Sequence, residues 1–232
     1  MPNKKYIKMY GKQRTGTNYL SRLMSINFNA EVLVNVFGWK HGLWENPQVW
    51  AHNHRYINDN IYFYDGNEKR VEVCKYTFPE LMDISKDLLF LFIVKDPYAF
   101  IYSYMRYYKR DINDKKIVIE QCLDYNLKYC DYLEKVNGDL DGVLIRYEDI
   151  LCDLSGVMGG LSKHKSLEYN GKEFKDIEKA VNSGGKEKNN LQDKDFYVNR
   201  LFLRKTPLDI IRLISDTIDW GIFNNMGYYK DK

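Results

Sequence analysis

Residues Leu88–Val94 read LLFLFIV, seven apolar side chains in a row. Successive side chains of a strand point to opposite faces, so this segment needs an apolar layer on both sides of its sheet. A sheet with one wet face cannot supply that. A central parallel strand covered by helices on both sides can. The run is far short of the roughly 20 apolar residues that span a membrane.

The flanking sequence supplies partners for such a strand. Strand patterns fall at residues 5–10, 31–37 and 142–145, with weaker ones at 61–64 and 71–76 around the turn pair Asp65-Gly66. Helical spacing predicts a helix over 18–28, with Tyr19, Leu20, Leu23, Met24 and Phe28 on one face. Further helices are predicted over 79–86, 98–109 behind Pro97, 117–136 and 207–226. Leu208, Ile211, Leu213 and Ile214 are core candidates in the last of these. The stretch 149–161 starts as a helix and dissolves into glycines. Residues 38–60 read as irregular, and 162–195 as a polar surface loop able to close over a ligand. The alternation predicts one domain over residues 1–232, a three-layer α/β/α fold with a mostly parallel central sheet. Ligands of such sheets bind beyond the carboxyl ends of the strands, here after Tyr10, Val94 and Ile145.

Charge and cysteines narrow the function. A formal net charge of +3 is too small to call for nucleic acid, but it leaves room for a local basic pocket for a small anion. The four cysteines, Cys74, Cys122, Cys130 and Cys152, form no C-x-x-C pair, so no zinc site is expected. Cys74 and Cys152 fall in apolar stretches, as buried thiols do. No disulfide is expected, which suits a reducing compartment. The start, MPNKKYIKMYG, lacks the apolar core of a signal peptide. The expectation is a cytoplasmic protein without stable membrane insertion.

Between the first strand and the first helix stands Gly11-Lys-Gln-Arg-Thr-Gly16, the outline of a phosphate loop. Outward-pointing backbone N–H groups and the helix dipole favour an anion there. Arg14, Thr15, Thr17 and Asn18 add a cation and several donors. Nucleotide triphosphatases place Lys and then Ser or Thr after the second glycine, to reach the outer phosphates and hold Mg²⁺. This chain has Thr17 and Asn18 there. The loop is therefore expected to hold a less charged group without an obligatory metal. A sulfuryl group in transfer carries one negative charge fewer than a phosphoryl group.

Arg14-Thr15-Gly16-Thr17 resembles the 5′-phosphosulfate loop of sulfotransferases, whose donor is 3′-phosphoadenosine 5′-phosphosulfate. A second stretch, Lys95-Asp96-Pro97 followed by five residues and then Ser103, resembles the family's clasp for the 3′-phosphate. The family usually has Arg where this chain has Lys95; Lys supplies the charge without the bidentate fork. Leu144-Ile-Arg-Tyr-Glu-Asp-Ile150 is similar to a stretch that shapes a strand–helix junction in the family, and Met226-Gly-Tyr228 is similar to its closing Leu-Gly-Tyr. The resemblance implies a P-loop nucleotide-hydrolase-like sulfotransferase fold. It implies donor contacts from Gly11, Arg14, Thr15, Gly16, Thr17, Asn18, Lys95 and Ser103, with 3′-phosphoadenosine 5′-phosphate as product and no metal. It also implies a small-molecule or glycan acceptor offering a hydroxyl or an amine.

Such a reaction needs a base. His41 in Phe37-Gly-Trp-Lys-His-Gly42 is the first candidate, with Glu45, His52 and His54 open beside it. Lys75 and Pro79 match the family's Lys-x-His-x-Pro, which implies that Lys75 touches the sulfuryl group, but Thr77 stands where the histidine would be. Trp39, Trp44 and Trp50 cluster near these histidines, and aromatic faces suit a sugar ring. Two other readings stay open: a small-molecule kinase using ATP and Mg²⁺, and a non-catalytic nucleotide- or glycan-binding protein on the same scaffold.

Overall fold

A computed structural model describes residues 5–34, 36–54, 60–65, 68–73, 76–138, 140–165, 167–171, 173–177, 179–181, 187–189 and 191–231. In chain order the elements are β1 (Lys5–Tyr10), α1 (Thr17–Asn27), β2 (Ala30–Leu33), α2 (Pro47–Asn53), β3 (Asn60–Asp65), β4 (Glu68–Val73), α3 (Phe78–Ile84), β5 (Leu88–Val94), α4 (Pro97–Tyr107), α5 (Lys115–Asn137), β6 (Gly142–Arg146), α6 (Tyr147–Cys152), α7 (Leu154–Lys165), β7 (Lys179–Val181), β8 (Glu187–Asn189), α8 (Leu191–Val198), α9 (Leu208–Thr217) and α10 (Trp220–Asn224). Strands β1, β2, β5 and β6 form an all-parallel sheet in the order β2-β1-β5-β6. The pairs β3–β4 and β7–β8 are separate antiparallel hairpins.

The all-apolar run Leu88–Val94 is the interior strand β5, buried along its whole length. Its side chains divide by parity, as a pleated strand requires. Leu88, Phe90, Phe92 and Val94 join one apolar cluster with residues of α4, α5, α9 and α10. Leu89, Leu91 and Ile93 join a second, with α1 and α7. Ile7 and Met9 of β1 fall in the second cluster and Tyr10 in the first. The sheet thus has an apolar layer on each face, an α/β architecture compatible with three layers.

Register aligns the loops that matter. Tyr10 pairs with Phe92, and Val94 with Arg146. The residues that follow, Gly11, Lys95 and Tyr147, therefore emerge together at the carboxyl edge of the sheet. Strand β1 has β2 on one side and β5 on the other, so the chain changes direction across the sheet between β1 and β5. Crevices at such a point are where open α/β sheets bind ligands.

Helix α5 braces this edge. Its buried residues Val118, Cys122, Tyr125, Tyr129 and Tyr132 recur at helical spacing. Tyr129 donates to Ile93 O (2.5 Å), Tyr125 to Lys95 O (2.7 Å) and Tyr132 to Gly42 O. Three hydroxyls on one helix stripe thereby bond carbonyls at the end of β5 and in the loop before α2.

Several expectations need correction. Strand β2 ends at Leu33, four residues early, because Phe37 (φ 61°) and Gly38 (φ 96°) turn the chain into the left-handed region. The stretch 38–60 contains α2, started by Asn46, whose Oδ1 accepts from Gln48 N and Val49 N (3.0 and 3.1 Å) ahead of Pro47. The glycine-rich segment does not dissolve: after a break at Asp153, α7 runs through Gly156, Gly159 and Gly160. Met158 and Leu161, buried against the sheet, offset the poor propensity. The stretch 162–195 holds the end of α7, the β7–β8 hairpin and the start of α8. The closing helix is two, broken at Ile218, and Leu208 is exposed while Ile210 takes the core position. Cys152 is exposed, as is Cys130, and Cys122 is buried; Cys74 lies outside the described residues. Among the described residues no helix is long and apolar enough to cross a membrane.

Candidate functional site

The loop after β1 is held tight at both ends by glycine. A Cβ on Gly11 would stand 2.6 Å from Ile93 Cγ2 and 2.9 Å from Ile93 O. Gly16 caps α1 at φ 102°, and a Cβ there would collide with the ring of Tyr147. Between them Thr15 is buried and turns inward, donating from Oγ1 to Lys12 O at 2.6 Å. Lys12 pairs with Asp124 of α5, which also holds Lys128 at 3.2 Å. The first turn of α1 exposes amides until Leu20 N–H reaches Gly16 O (3.0 Å), as helix N-termini do.

Arg14 stands on this loop with φ 75°, uncommon for a side chain with a Cβ. Its guanidinium lies 4.0 Å from the centre of the Tyr107 ring. Its Nε is buried and has no hydrogen-bond partner among the described residues. Thr17 is buried at the first helical position, and exposed Asn18 accepts from Lys40 Nζ at 2.6 Å.

At the next strand end Lys95 and Ser103 meet as their spacing suggests. Asp96 caps α4, accepting from Tyr98 N (2.8 Å) and Ala99 N (3.2 Å). That cap sets the helix so that Ser103, two turns in, brings Oγ to 3.2 Å from Lys95 Nζ. Lys95 is only 3% exposed, and its ammonium is enclosed by aromatic rings. It sits 3.4 Å from the centre of the Tyr197 ring and 4.5 Å from that of Tyr147. Arg200 ties the neighbourhood together, with Nη2 3.0 Å from Asp96 Oδ2 and two bonds to Asp231 (2.6 and 2.8 Å). Burial nevertheless pushes the Asp96 carboxyl up to about 6, against the pull of Arg200, with Glu148 adding to the rise. Glu148 accepts from Asp96 N (3.1 Å) and from the Tyr228 hydroxyl, while Arg146 covers the Tyr228 ring at 4.5 Å. The Arg-Tyr-Glu-Asp stretch and the C-terminal Gly-Tyr thus lock to each other and to the start of α4.

His41 reaches the loop from the other side. Gly11 N donates to Lys40 O (2.9 Å), and Gly11 O lies 2.6 Å from His41 Nδ1. A carbonyl only accepts, so Nδ1 carries the hydrogen and Nε2 is left as a proton acceptor. Burial holds the imidazole down to about 4; the Gly11 bond opposes this, and Lys40, Lys128 and Lys12 add to it. His41 is therefore neutral at pH 7. Trp39 packs against it edge-on at 5.3 Å and is itself exposed.

The alternatives sit elsewhere. His54 stacks on Trp50 (4.0 Å) and its Nδ1 bonds Trp50 O (2.7 Å), closing α2. His52 is exposed in the last turn of that helix, and Glu45 is exposed near Gly38. Trp50 is a core residue against Phe37 (5.4 Å), so the three tryptophans do not form one platform. Thr77 is the cap of α3, bonded through N and Oγ1 to Glu80 Oε2 (2.7 and 2.9 Å). Lys75 lies outside the described residues.

Three participants were absent from the sequence-based set. Tyr147 closes on Gly16 and Lys95, and its place directly after a predicted strand was a usable signal. Tyr197 and the Lys12–Asp124 pair carry no local signal, because their partners are distant in sequence. Neither a comparison with protein-family models nor a search of curated proteins returns a match for this chain.

Proposed function

We propose that this chain is a sulfotransferase that uses 3′-phosphoadenosine 5′-phosphosulfate and acts on a hydroxyl, with a carbohydrate as the favoured acceptor class. One observation carries the reading. A glycine-bounded loop with an unpaired buried Arg14 Nε lies beside a buried Lys95–Ser103 pair, and a neutral histidine is bonded to the loop itself. The orphaned Nε and the helix N-terminus that follows Gly16 fit an anionic group on the loop.

When bound, the donor supplies an electrophilic sulfur and a phosphate leaving group. His41 Nε2 takes the proton of the acceptor hydroxyl as its oxygen bonds to sulfur and the bond from sulfur to the 5′-phosphate oxygen breaks. Arg14 and the first amides of α1 stabilise charge that grows on that phosphate oxygen. Lys95 and Ser103 hold the 3′-phosphate and so fix the position of the reacting end.

The test is transfer of ³⁵S from labelled donor to a pool of hydroxyl compounds, with sugars and phenols in separate arms. Wild type is expected to transfer label. His41→Ala is expected to lose about 10²–10⁴-fold in turnover, the usual worth of a general base, with bisphosphate affinity within a few-fold. Unchanged turnover in His41→Ala contradicts the base assignment. A binding protein without turnover is the second reading; the depressed basicity of His41 favours it, and it predicts donor binding with no label transferred by any form.

A further inference from the structure

The Lys95–Ser103 pair is covered. Ser103 Oγ donates to Ala99 O at 2.7 Å, so its other two contacts, Lys95 Nζ at 3.2 Å and Tyr197 OH at 2.7 Å, donate to it. A serine hydroxyl has one hydrogen and two lone pairs, and all three are engaged. Lys95 Nζ has Ser103 on one side, the Tyr197 ring on another and the Tyr147 ring on a third. A phosphate oxygen bonded to an ammonium lies about 2.8 Å away, closer than the Tyr197 ring centre now stands.

We propose that Tyr197 is a gate seated in the place of the anion on Lys95 and Ser103, and that its ring must swing out before a phosphate can enter. The inference rests on the reading above only in taking these two residues as a phosphate clasp. Tyr197 is the member able to leave. Tyr147 is wedged between Gly16 and Tyr19 (ring centres 6.2 Å apart) at the start of α6, directly after a sheet strand. Tyr197 belongs to α8, an eight-residue helix. Beyond it Arg200, at φ 52°, is anchored by Asp96 and Asp231. Anchored Arg200 fixes the pivot, and Tyr197 lies three residues before it.

The hydroxyl bond to Ser103 and the cation over the ring stabilise the seat, together with ring packing against Tyr147 (5.6 Å) and Phe202 (6.2 Å). Tyr197→Phe removes the hydroxyl bond and keeps the ring contacts; Tyr197→Ala removes them all. Titration with 3′-phosphoadenosine 5′-phosphate, followed by calorimetry, and with inorganic phosphate, followed by ³¹P line width, separates the possibilities. The gate predicts about five-fold tighter binding in Tyr197→Phe, roughly one ordinary hydrogen bond, and a larger gain in Tyr197→Ala. Both gains vanish when Lys95→Met is added. A gain for both probes supports the gate and the donor reading together. A gain for inorganic phosphate alone supports the gate and removes the donor reading. Weaker or unchanged binding of both probes in Tyr197→Phe overturns the gate; weaker binding makes Tyr197 a phosphate ligand in place. Tyr197→Phe changes one oxygen, so a cooperative unfolding transition lowered by no more than about 4 °C, the worth of that one hydrogen bond, checks that the result is not a folding defect.

Discussion

Two basic side chains buried against their own charge define the residue scale. Lys8 is wholly buried in β1, with Nζ bonded to Gly38 O (2.5 Å) and Val34 O (3.2 Å). Burial holds its ammonium down to about 7, partly offset by Glu45 and reinforced by Lys40. The unfolded chain keeps the ordinary value of 10.5. Between these two values the unfolded state binds more protons than the folded one, so the Lys8 contribution to stability rises with pH across that window and is flat below it. Urea unfolding of wild type and Lys8→Met at pH 7 and pH 10 checks this: the wild type is expected to gain relative to the variant at the higher pH. His41 has the same sign of shift, and its proposed role as base gives that shift a consequence for rate. Its free base persists down to about pH 4. The acid limb of kcat/KM is therefore expected near that pH, and a limb at 6.5 would contradict the buried, Gly11-bonded ring.

Elements are where sequence and structure diverge in instructive ways. Gly16 is the joint between β1 and α1, and its left-handed backbone and contact with Tyr147 both exclude a side chain. Gly16→Ala is expected to cost about 1–2 kcal/mol from backbone conformation alone, more once the ring is displaced, and to abolish anion binding; denaturant unfolding and a phosphate titration measure the two. Both glycines of the loop were legible, because the strand, the spacing and the following helix agree. So was β5, since an all-apolar run permits one environment. The end of β2 was not, because Val34, Val36 and Phe37 have strand composition while Lys8, one strand away, takes the carbonyls of Val34 and Gly38. Helix α2 was hidden by its aromatic and polar content, although Asn46-Pro47 was a legible start. Helix α7 was hidden by its glycines, which tertiary burial of Met158 and Leu161 outweighs.

The whole molecule converts separated motifs into one edge. Loops 11–16 and 95–96 and the Tyr147 junction meet because three parallel strands end on the same edge of the sheet. Their convergence was foreseeable from the alternation of strands and helices, which puts the carboxyl ends of parallel strands on one edge. The tyrosine stripe of α5, the Tyr197 seat and the Arg200–Asp231 strap were not, since each joins residues that only the folded chain brings together. The central claim is that this edge takes a doubly phosphorylated nucleoside in preference to a metal-bound triphosphate. Calorimetric titration of wild type and Lys95→Met with 3′-phosphoadenosine 5′-phosphate, beside ATP with Mg²⁺, tests it most directly. The account predicts that wild type binds the bisphosphate, that Lys95→Met weakens it at least about tenfold for the loss of a charged hydrogen bond, and that ATP with Mg²⁺ does not compete. Preference for ATP, or bisphosphate affinity indifferent to Lys95, would contradict it.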